Sequence, residues 1–508
     1  MGGMEIELKL ELAPDDLGRL RRHPLIRRSG IGRPVRRLLH SVYFDTPDLA
    51  LYDGGVTLRV RHIGGRRVQT VKARATGTAG LFARDEWEDE IAGDAPEIAP
   101  MLRTAVAPLL ERPGVAESLR PQFVTAIQRT TWTLGGPGWE VKLMLDSGRV
   151  EAASGAVPIR EAELELVRGE PERLYAIALD LQRRIPMRLA TASKSDRGFA
   201  LVMGAAPRPV RAEPVSLTPD MTVGQAFAAI AAGCVRQLLG NEPCVLATAD
   251  PEGVHQMRVA LRRLASVRAV FGGGPGVEAA GGDSVREAAA WLGSHLGPAR
   301  DADVFLTEVL EPALAHLPGG AGMEALHAEH ARRRREHHDR LQEALGGPRF
   351  TTALLTMGAW AADRGLPDSE GPIAPFAAAA LERRYRRVLK AGRHFRRLDD
   401  EGRHRLRIAL KKLRYAAEFF VSLYPDRDKA ARRFLVALRR LLERLGRLND
   451  IQVGRAVLAA EAAAADARQA WPAGLIAGWH VAAAEAHLSD ARGEWKAFTR
   501  QSRFWSVG

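Results

Sequence analysis

Charged and apolar residues alternate at the start of the chain, in the segment EIELKL (5–10). The side chains of a β-strand alternate between its two faces, so this segment would place Glu5, Glu7 and Lys9 together on one face. The same alternation, with both signs of charge, recurs in VTLRVRH (56–62), RVQTVKARA (67–75), RDEWEDEI (84–91) and EAELELV (161–167). The carboxylates of such faces repel one another unless cations neutralise them.

Two kinds of ligand follow from these charged faces. Hard carboxylate oxygens select Mg²⁺ or Mn²⁺. Arginine and lysine on the same faces need an anion, and the fork of a guanidinium group matches the oxygens of a phosphate. Carboxylates, a divalent metal and basic groups together predict a site that binds a polyphosphate with its metal.

The elements that must position these groups are strands. Residues 1–205 form short alternating segments between turns that carry glycine or proline, with helical stretches near 14–22 and 171–185. Several strands with charge on one face and apolar residues on the other are typical of a closed barrel with a polar interior. Helices would partly cover its apolar exterior.

The C-terminal part is predicted to be helical and duplicated. Prolines at 207, 209, 214 and 219 mark residues 204–223 as a linker, and residues 224–505 have helical spacing. The segment HQMRVALRRL at His255 returns as HRLRIALKKL at His404. The segment LGPARDAD with Asp301 returns as LGRLNDIQ with Asp450, and both offsets are 149 positions (255 to 404 and 301 to 450). A constant offset indicates an internal repeat.

Each copy of the repeated helix carries a basic stripe. The stripes consist of His255, Arg258 and Arg262 in the first copy and of His404, Arg407, Lys411 and Arg414 in the second. Spacings of three, four and seven residues place such side chains on one helix face. Two converging stripes would focus positive potential on an extended polyanion. A metal site is not predicted at either histidine.

The charge balance agrees with this division. The 508 residues carry 74 Lys and Arg against 61 Asp and Glu, a net charge of +13. Residues 1–205 hold 30 basic and 27 acidic residues, and the remainder holds 44 and 34, so most of the excess lies in the helical part. The chain has only two cysteines, which excludes a disulfide framework and predicts a reduced, cytoplasmic protein. The sequence has no run of 18 apolar residues, so no spanning helix and no membrane partner are expected.

The N-terminal motifs resemble the CYTH domain of the triphosphate tunnel metalloenzyme family over about residues 4–203. They are ExExK (Glu5, Glu7, Lys9), YFDTPDLAL (43–51), TLRVR (57–61), VKA (71–73), LDSGRVEA (145–152), AELELVRGEP (162–171) and SKSDRGFAL (193–201). The resemblance implies an antiparallel eight-stranded β-tunnel and divalent-metal-dependent chemistry, with Mg²⁺ or Mn²⁺, on a triphosphate.

The resemblance also implies roles for single residues. The implied metal ligands are Glu5, Glu7, Glu163 and Glu165. The implied phosphate-binding residues are Lys9, Arg59, Arg61, Lys72, Arg84 and Lys194, with Arg129 and Arg197 as weaker candidates. Glu86, Glu88 and Asp146 are candidates for binding metal or positioning water, and the predicted catalytic set is Glu5, Glu7, Lys9, Glu88 and Asp146. Asp146 could instead head a turn, and Glu161, which begins its strand, is expected to be exposed.

The C-terminal motifs HQMRVALRRL, LGPARDADVF, HRLRIALKKLRYAAEFF and LGRLNDIQV resemble the CHAD domain over about residues 220–505. This resemblance implies an all-α helical bundle that binds inorganic polyphosphate through basic side chains, with Arg263 and Lys412 added to the two stripes. We therefore predict a multidomain α+β protein with a CYTH domain (4–203), a linker (204–223) and a CHAD domain (224–505). Its repeats would span about 224–363 and 377–505, and Ala265 stands where the second repeat has Arg414.

Together these features predict a metal-dependent hydrolase that splits inorganic triphosphate into pyrophosphate and phosphate and also binds inorganic polyphosphate. A class IV adenylate cyclase and a thiamine triphosphatase share the motifs and stay open as alternatives, as does a non-catalytic protein that binds or targets polyphosphate. Nucleic-acid binding is not favoured, because aromatic residues are only 6% of the chain and no recognised motif is present.

Overall fold

The computed structural model describes residues 3–73, 81–204, 206–272, 282–363, 370–464 and 467–506. The chain forms two compact units. One consists of Met1–Arg208 with Gly347–Asp363, and the other of Pro209–Gly346 with Arg364–Gly508. Each unit has a hydrophobic core of its own.

The first unit is built on antiparallel strands. They are β1 (Gly3–Leu12), β2 (Gly30–Asp45), β3 (Val56–Ile63), β4 (Arg66–Ala73), β5 (Leu81–Ile91), β6 (Arg120–Gly136), β7 (Trp139–Ala152), β8 (Gly155–Arg168) and β9 (Met187–Leu189). Their order is β5-β4-β3-β2-β6-β7-β8-β1-β9, and β1 also pairs with β5. Strands β1 to β8 therefore close the predicted eight-stranded barrel, and β9 extends the sheet beside the end of β1.

Alternation along the strands decides what lies inside the barrel and what lies outside it. Leu8 and Leu10 of β1 are fully buried in the outer layer. The charged residues that alternate with the apolar ones, Glu5, Glu7 and Lys9, face the interior of the barrel. The outer faces are covered by helices α1 (Asp16–Arg21), α2 (Pro24–Ser29), α3 (Ala50–Asp53), α4 (Ile98–Met101), α5 (Ala107–Leu110), α6 (Glu172–Gln182) and α7 (Lys194–Met203). Leu51 of α3, Met101 of α4 and Leu109 of α5 pack with Leu58 and Val60 of β3 in one hydrophobic core.

Helix α7 packs closely on β6 because it carries glycine at the contact. A Cβ atom on Gly198 would lie 2.1 Å from Cε2 of Phe123, which is impossible without movement. The ring of Phe123 also makes an edge contact with Phe199, with ring centroids 5.1 Å apart. This close approach matters for the site, since α7 begins at Lys194.

The second unit is helical. The helices that follow the barrel are α8 (Val223–Gly240), α9 (Glu242–Thr248), α10 (Pro251–Phe271), α11 (Gly282–Val304), α12 (Glu311–Leu314), α13 (Ala321–Gly346), α14 (Pro348–Ala362), α15 (Ile373–Gly392), α16 (Asp400–Phe420), α17 (Asp428–Ala464) and α18 (Ala467–Thr499). A π-helical turn, Phe305–Leu310, links α11 to α12.

The predicted duplication is confirmed by the order of the helices. Helices α8, α10, α11 and α13 correspond to α15, α16, α17 and α18, and α16 spans the residues 149 positions after α10. Both repeated helices begin in the same manner. The side chain of Asp250 accepts a hydrogen bond from the N–H of Glu252, and that of Asp399 accepts one from Gly402.

Helix α14 belongs to the first unit, although its sequence lies between the two helical repeats. It packs against α6 and β9. At this contact Gln182 donates a hydrogen bond to the carbonyl of Pro348 (3.1 Å) and accepts one from the N–H of Met187 (3.0 Å). The segment predicted as the end of the first repeat therefore contributes its last helix to the barrel unit.

One described stretch, Val223–Thr248, is long and apolar enough to cross a membrane by composition alone. Just over half of its most apolar window, 56%, is buried within the protein. Phe227 and Ile230 of α8 are among its fully buried side chains. Buried core helices of soluble folds share this composition, so the stretch is weak evidence for a membrane span.

Candidate functional site

A cavity of about 470 Å³ lies inside the barrel and is lined by charged side chains of both signs. Its carboxylates are Glu5, Glu7, Glu86, Glu88, Glu163 and Glu165, and its cations are Lys9, Arg37, Arg59, Arg61, Lys72, Arg129, Lys142 and Lys194. The inward alternation of each strand produces this lining.

The pairing register brings opposite and like charges side by side. Lys9 of β1 lies opposite Glu163 of β8, and Glu7 lies opposite Glu165. On the other side of β1, Lys72 of β4 lies opposite Glu86 of β5. The closed sheet therefore converts separate motifs of the sequence into one continuous charged wall.

Glu163 is the centre of a buried ionic network. Its Oε1 accepts hydrogen bonds from Lys9 Nζ (2.7 Å) and Lys194 Nζ (2.9 Å), and its Oε2 contacts Arg129. Burial by itself raises the pKa of Glu163, but Lys194, Lys9 and Arg129 outweigh it and hold the pKa well below its usual range. The carboxylate is therefore ionised at neutral pH.

Asp146 lies beneath this network and is fully buried. The guanidinium of Arg129 forms a fork with it, through Nε (2.7 Å) and Nη2 (2.5 Å), and Lys194 Nζ lies 2.7 Å from its Oδ2. Burial raises the pKa of Asp146, but Lys194 and Arg129 outweigh burial and lower it. Asp146 lies within β7, does not line the cavity, and has both carboxylate oxygens in contact with cations that do.

Glu161 was predicted to be exposed, and that prediction is wrong. Its side chain is fully buried and contacts Lys194, with Arg197 Nη2 at 3.4 Å from Oε2. Burial raises the pKa of Glu161 more than Lys194 lowers it. Asp146, Glu161 and Glu163 each offer a carboxylate oxygen within 4.8 Å of the others, so this buried trio could also hold a cation.

Helix α7 delivers Lys194 to this network. Ser193 caps the helix by accepting the N–H of Asp196, and the Asp196 side chain accepts the N–H of Ser193 in return. The capping box fixes the first turn of the helix, where Lys194 is buried. Arg197, one turn later, pairs with Glu11 (2.5 Å) and is absent from the cavity wall, so the structure does not bring this predicted phosphate ligand to the lumen.

A second network surrounds Lys72, which lies 2.9 Å from both Glu5 Oε2 and Glu86 Oε1. Arg59 Nη2 reaches Glu86 at 3.4 Å. Burial raises the pKa of Glu86, but Lys72 and Arg59 outweigh burial and lower it. Glu88 accepts a hydrogen bond from Thr70 (3.2 Å) and is exposed toward the end of the strand.

Two arginines on the cavity wall have no ion pair among the described residues, Arg37 and Arg61. Arg61 donates to the hydroxyl of Ser41 (3.1 Å) and is half-buried. Burial, with the positive charges of Arg59 and Arg129, lowers the pKa of Arg61 to about 10. A buried guanidinium among cations is unfavourable by itself, so this part of the wall is suited to an anion.

The predicted lumen residues are thus largely brought together, and some lining residues were missed. Arg37 shares a face of β2 with Ser41 and Tyr43, so its spacing of two could have identified it. Lys142 pairs with Glu165 (2.7 Å) and lies opposite it on β7. The backbone of Arg84 pairs with Glu5, but its side chain lies outside the described residues.

The two basic stripes of the helical unit do converge. Burial, followed by the charges of Arg407 and Arg262, lowers the pKa of Lys411 to about 7, so side chains of α10 and α16 are close neighbours. Burial, followed by Arg300, lowers the pKa of His255 to about 4, with smaller effects of Arg262 and Arg414. The cations of the two helices therefore lie close enough to disfavour one another's charge.

The repeated LGxxxD segments orient one arginine in each copy. Arg258 Nη1 donates to the carbonyl of Gly297 (2.8 Å) and to Asp301 Oδ1 (3.2 Å). A Cβ atom on Gly297 would lie 3.4 Å from that nitrogen. In the second copy, Arg407 lies beside Gly446. Burial lowers the pKa of Arg407, and the charge of Asp450 opposes that decrease.

Other predicted polyphosphate ligands differ in their exposure. Arg263 is buried, pairs with Glu418 (3.1 Å) and lies 5.0 Å from the ring of Phe419, so it joins α10 to α16 and does not extend the basic face. His404 is exposed and contacts Asn449 (3.0 Å). Lys412 is exposed, and Arg414 lies 4.9 Å above the ring of Tyr415.

Comparison with known proteins identifies both units. Residues 3–199 match the model of the CYTH domain, and residues 229–459 match that of the CHAD domain. A protein of Haemophilus influenzae named inorganic triphosphatase is 27% identical over 197 residues, which cover 39% of this chain and 54% of that protein. This chain thus spans about half the length of that relative.

Two further relatives extend the match to the helical unit. An uncharacterized protein of Mycobacterium tuberculosis is 27% identical over 413 residues, 75% of each chain. The crystal structure of the CHAD domain from the plant Ricinus communis is 31% identical, with a TM-score of 0.51, and covers 58% of this chain and 98% of that one. The chain therefore belongs to the proteins that join an N-terminal CYTH domain to a C-terminal CHAD domain.

Proposed function

We propose that the barrel hydrolyses inorganic triphosphate to pyrophosphate and phosphate with the help of Mg²⁺ or Mn²⁺. The observation that carries this proposal is the cavity wall, where ionised carboxylates lie near two arginines, Arg37 and Arg61, for which the described ranges contain no ion pair. A triphosphate with its metal complements both kinds of group. The name of the Haemophilus influenzae relative supports the same reaction.

The donor set of the wall fits a hard divalent cation. Glu7 and Glu165 lie directly opposite each other on paired strands, and like charges in that position are unfavourable unless a cation lies between or beside them. We infer that Glu5, Glu7, Glu163 and Glu165 would hold the metal. A bound divalent ion neutralises phosphate oxygens and lowers the pKa of a coordinated water.

The side chains of the chain itself bind and orient the substrate. Arg59, Arg61 and Lys72 would contact phosphate oxygens, and the forks of the two arginines can each hold two oxygens. Lys9, Arg129 and Lys194 are already fixed by Glu163 and Asp146, so their donors need little reorganisation when negative charge develops on the leaving pyrophosphate. A water in line with the leaving oxygen then attacks the terminal phosphorus.

Two carboxylates take different parts in this proposal. Glu88 lies on the cavity wall with Thr70 as its partner and can accept the proton of the attacking water. Asp146 has both oxygens committed to Arg129 and Lys194 and is a positioning residue. Arg197 contacts Glu161 and would likewise be a positioning residue.

We also propose that the helical unit binds inorganic polyphosphate at the converging stripes of α10 and α16. Arg258, Arg262, Arg407 and Lys411 would contact the chain of phosphates, because a line of cations raises the local concentration of an extended polyanion. The two cysteines, Cys234 and Cys244, are free and buried, which agrees with the cytoplasmic location that we infer.

A panel of substrates tests the enzymatic proposal. The purified chain is offered tripolyphosphate, ATP, thiamine triphosphate and long-chain polyphosphate with Mg²⁺ or Mn²⁺, and the products are identified. Release of phosphate and pyrophosphate from tripolyphosphate supports the proposal, whereas cyclic AMP or thiamine diphosphate as the main product refutes it. Tight binding of polyphosphate without turnover of any substrate would make the barrel a binding site only.

A further inference from the structure

A second cavity of the barrel unit, of about 510 Å³, shares no lining residue with the tunnel. It is lined by Arg19, Arg22, His23, Pro24, Arg27, Arg184 and Ile185. These residues come from the chain around α1 and α2 and from the end of α6. Four guanidinium groups therefore border one small space.

Two acidic side chains of this region, Asp16 and Asp180, are already paired. Asp16 accepts from Arg19 (2.6 Å), which also donates to the carbonyl of Arg184 (2.5 Å). Asp180 pairs with Arg28 (3.0 Å), which lies outside the cavity wall. No ion pair of Arg22, Arg27 or Arg184 is found among the described residues, so their charges add to a positive potential in the cavity.

The histidine on the wall has a donor without an acceptor. His23 is 3% exposed, and its Nδ1 accepts the N–H of Leu25 (3.2 Å). The proton of the neutral ring must therefore be on Nε2. That atom has no hydrogen-bond partner in the described part of the chain, and an unsatisfied buried donor is unfavourable.

We propose that this cavity binds a small oxyanion of the phosphate class, held by Arg22, Arg27 and Arg184 with His23 as a further donor. The fork of each guanidinium matches two oxygens of a tetrahedral anion, which would also offset the repulsion between the arginines. The simpler alternative is that the arginines only stabilise the C-terminal ends of α1 and α6. In that case no ligand would be selected.

The imidazole of His23 serves as a local reporter. Burial lowers the pKa of His23, and Arg184 and Arg28 lower it further against the opposing charge of Asp180. An anion bound beside the ring should shift its nitrogen resonances and raise this pKa. The full chain is titrated with pyrophosphate at constant ionic strength in EDTA, and the histidine ring signals are followed by NMR.

Two sets of variants are used. One assigns the NMR signal to His23, and the other distinguishes a specific anion site from general electrostatic attraction. His23→Asn removes the reporter and keeps an oxygen that can cap α2. The double variant Arg22→Gln with Arg184→Gln is compared with Arg21→Gln with Arg183→Gln. All four arginines are exposed, and the control pair removes the same charge from the neighbouring positions, which do not line the cavity.

We expect the His23 signal to shift in a saturable manner as pyrophosphate is added. The double variant of the cavity arginines, Arg22→Gln with Arg184→Gln (the cavity pair), should bind pyrophosphate about ten-fold or more weakly, as for a lost charge-assisted hydrogen bond. The control pair should change affinity by less than about two-fold. An unmoved His23 signal, or equal losses in both pairs, would overturn the proposal. If the cavity pair unfolds, Arg27→Gln alone should weaken binding, and an unchanged affinity in that variant would count equally against the site.

Discussion

We predict that the affinity of the CHAD domain for long-chain polyphosphate falls as the pH rises from 7 to 9, because Lys411 then loses its proton. Burial, followed by the charges of Arg407 and Arg262, lowers the pKa of Lys411 to about 7, although Asp450 opposes the decrease. Arg414 also lowers the pKa of Lys411, in the same direction as the other arginines. Only the protonated amine attracts the polyanion.

The magnitude follows from proton linkage. A polyanion placed against the amine should return the pKa of Lys411 toward its ordinary value of 10.5. Between the two pKa values the bound state holds one more proton than the free state, so affinity falls by up to about ten-fold per pH unit. Between pH 7 and pH 9 the total loss is about 50-fold. His255, whose pKa is lowered to about 4, stays neutral in the free protein over this range.

The assay is isothermal titration calorimetry of the full chain with long-chain polyphosphate in EDTA, at constant ionic strength, in buffers of different ionisation enthalpy. These buffers report the protons taken up on binding. Lys411→Arg should keep its charge and flatten the pH dependence, whereas Lys412→Arg changes the exposed neighbour and should leave the slope intact. An equal slope in Lys411→Arg, or no proton uptake by the native chain at pH 8, would refute the reasoning.

Three further predictions concern the barrel. Replacing Glu5 and Glu7 together by Gln should lower the rate of triphosphate hydrolysis by about two orders of magnitude or more, since the metal loses two ligands, and should spare polyphosphate binding. Arg61→Lys should lower kcat/KM for tripolyphosphate by about ten-fold or more, because a lysine cannot form the two-pronged contact. Gly198→Ala should destabilise the fold by about 1–3 kcal/mol in urea unfolding, since its Cβ would lie 2.1 Å from Phe123.

The substitutions of Arg61 and Gly198 each have a matched control. Arg66→Lys alters an exposed arginine of β4 and should leave kcat/KM unchanged. Gly293→Ala introduces a Cβ into open space on α11 and should be neutral or slightly stabilising. Loss of polyphosphate binding together with hydrolysis in the double Gln variant would contradict the separation of the two activities. Full activity of Arg61→Lys would show that its fork is not used.

Much of the barrel could be predicted from local pattern. A spacing of two residues assigned Glu5, Glu7 and Lys9 to one face, and the structure places all three on the cavity wall. The pattern failed for Glu161, which shares that face of β8 with Glu163 but was expected to be exposed. Alternation gives the face of a residue, whereas its depth along the barrel depends on which side chains of other elements reach it, here Lys194 of α7.

In the helical unit, too, some features could be predicted from local pattern, whereas others depend on how the helices pack. The offset of 149 residues, read from 255 to 404, predicted two equivalent helices, and α10 and α16 have matching limits. Helical spacing placed Arg262 on the basic stripe, and Arg263, the next residue of the basic run, was added to the same predicted ligand set. The packing of α16 decides that Arg263 pairs with Glu418 inside the helix contact.

By itself, the sequence determined the strands, their charged faces, the repeat and the two families of motif, because these depend on spacing along the chain. Only the tertiary structure decided which charges are paired and which are left for a ligand. The half-buried position of Lys411, the guanidinium of Arg61 without an ion pair in the described ranges and the arginines around His23 each arise where separate elements meet. Desolvation and neighbouring charge act through space, so no pattern along one strand or helix contains them.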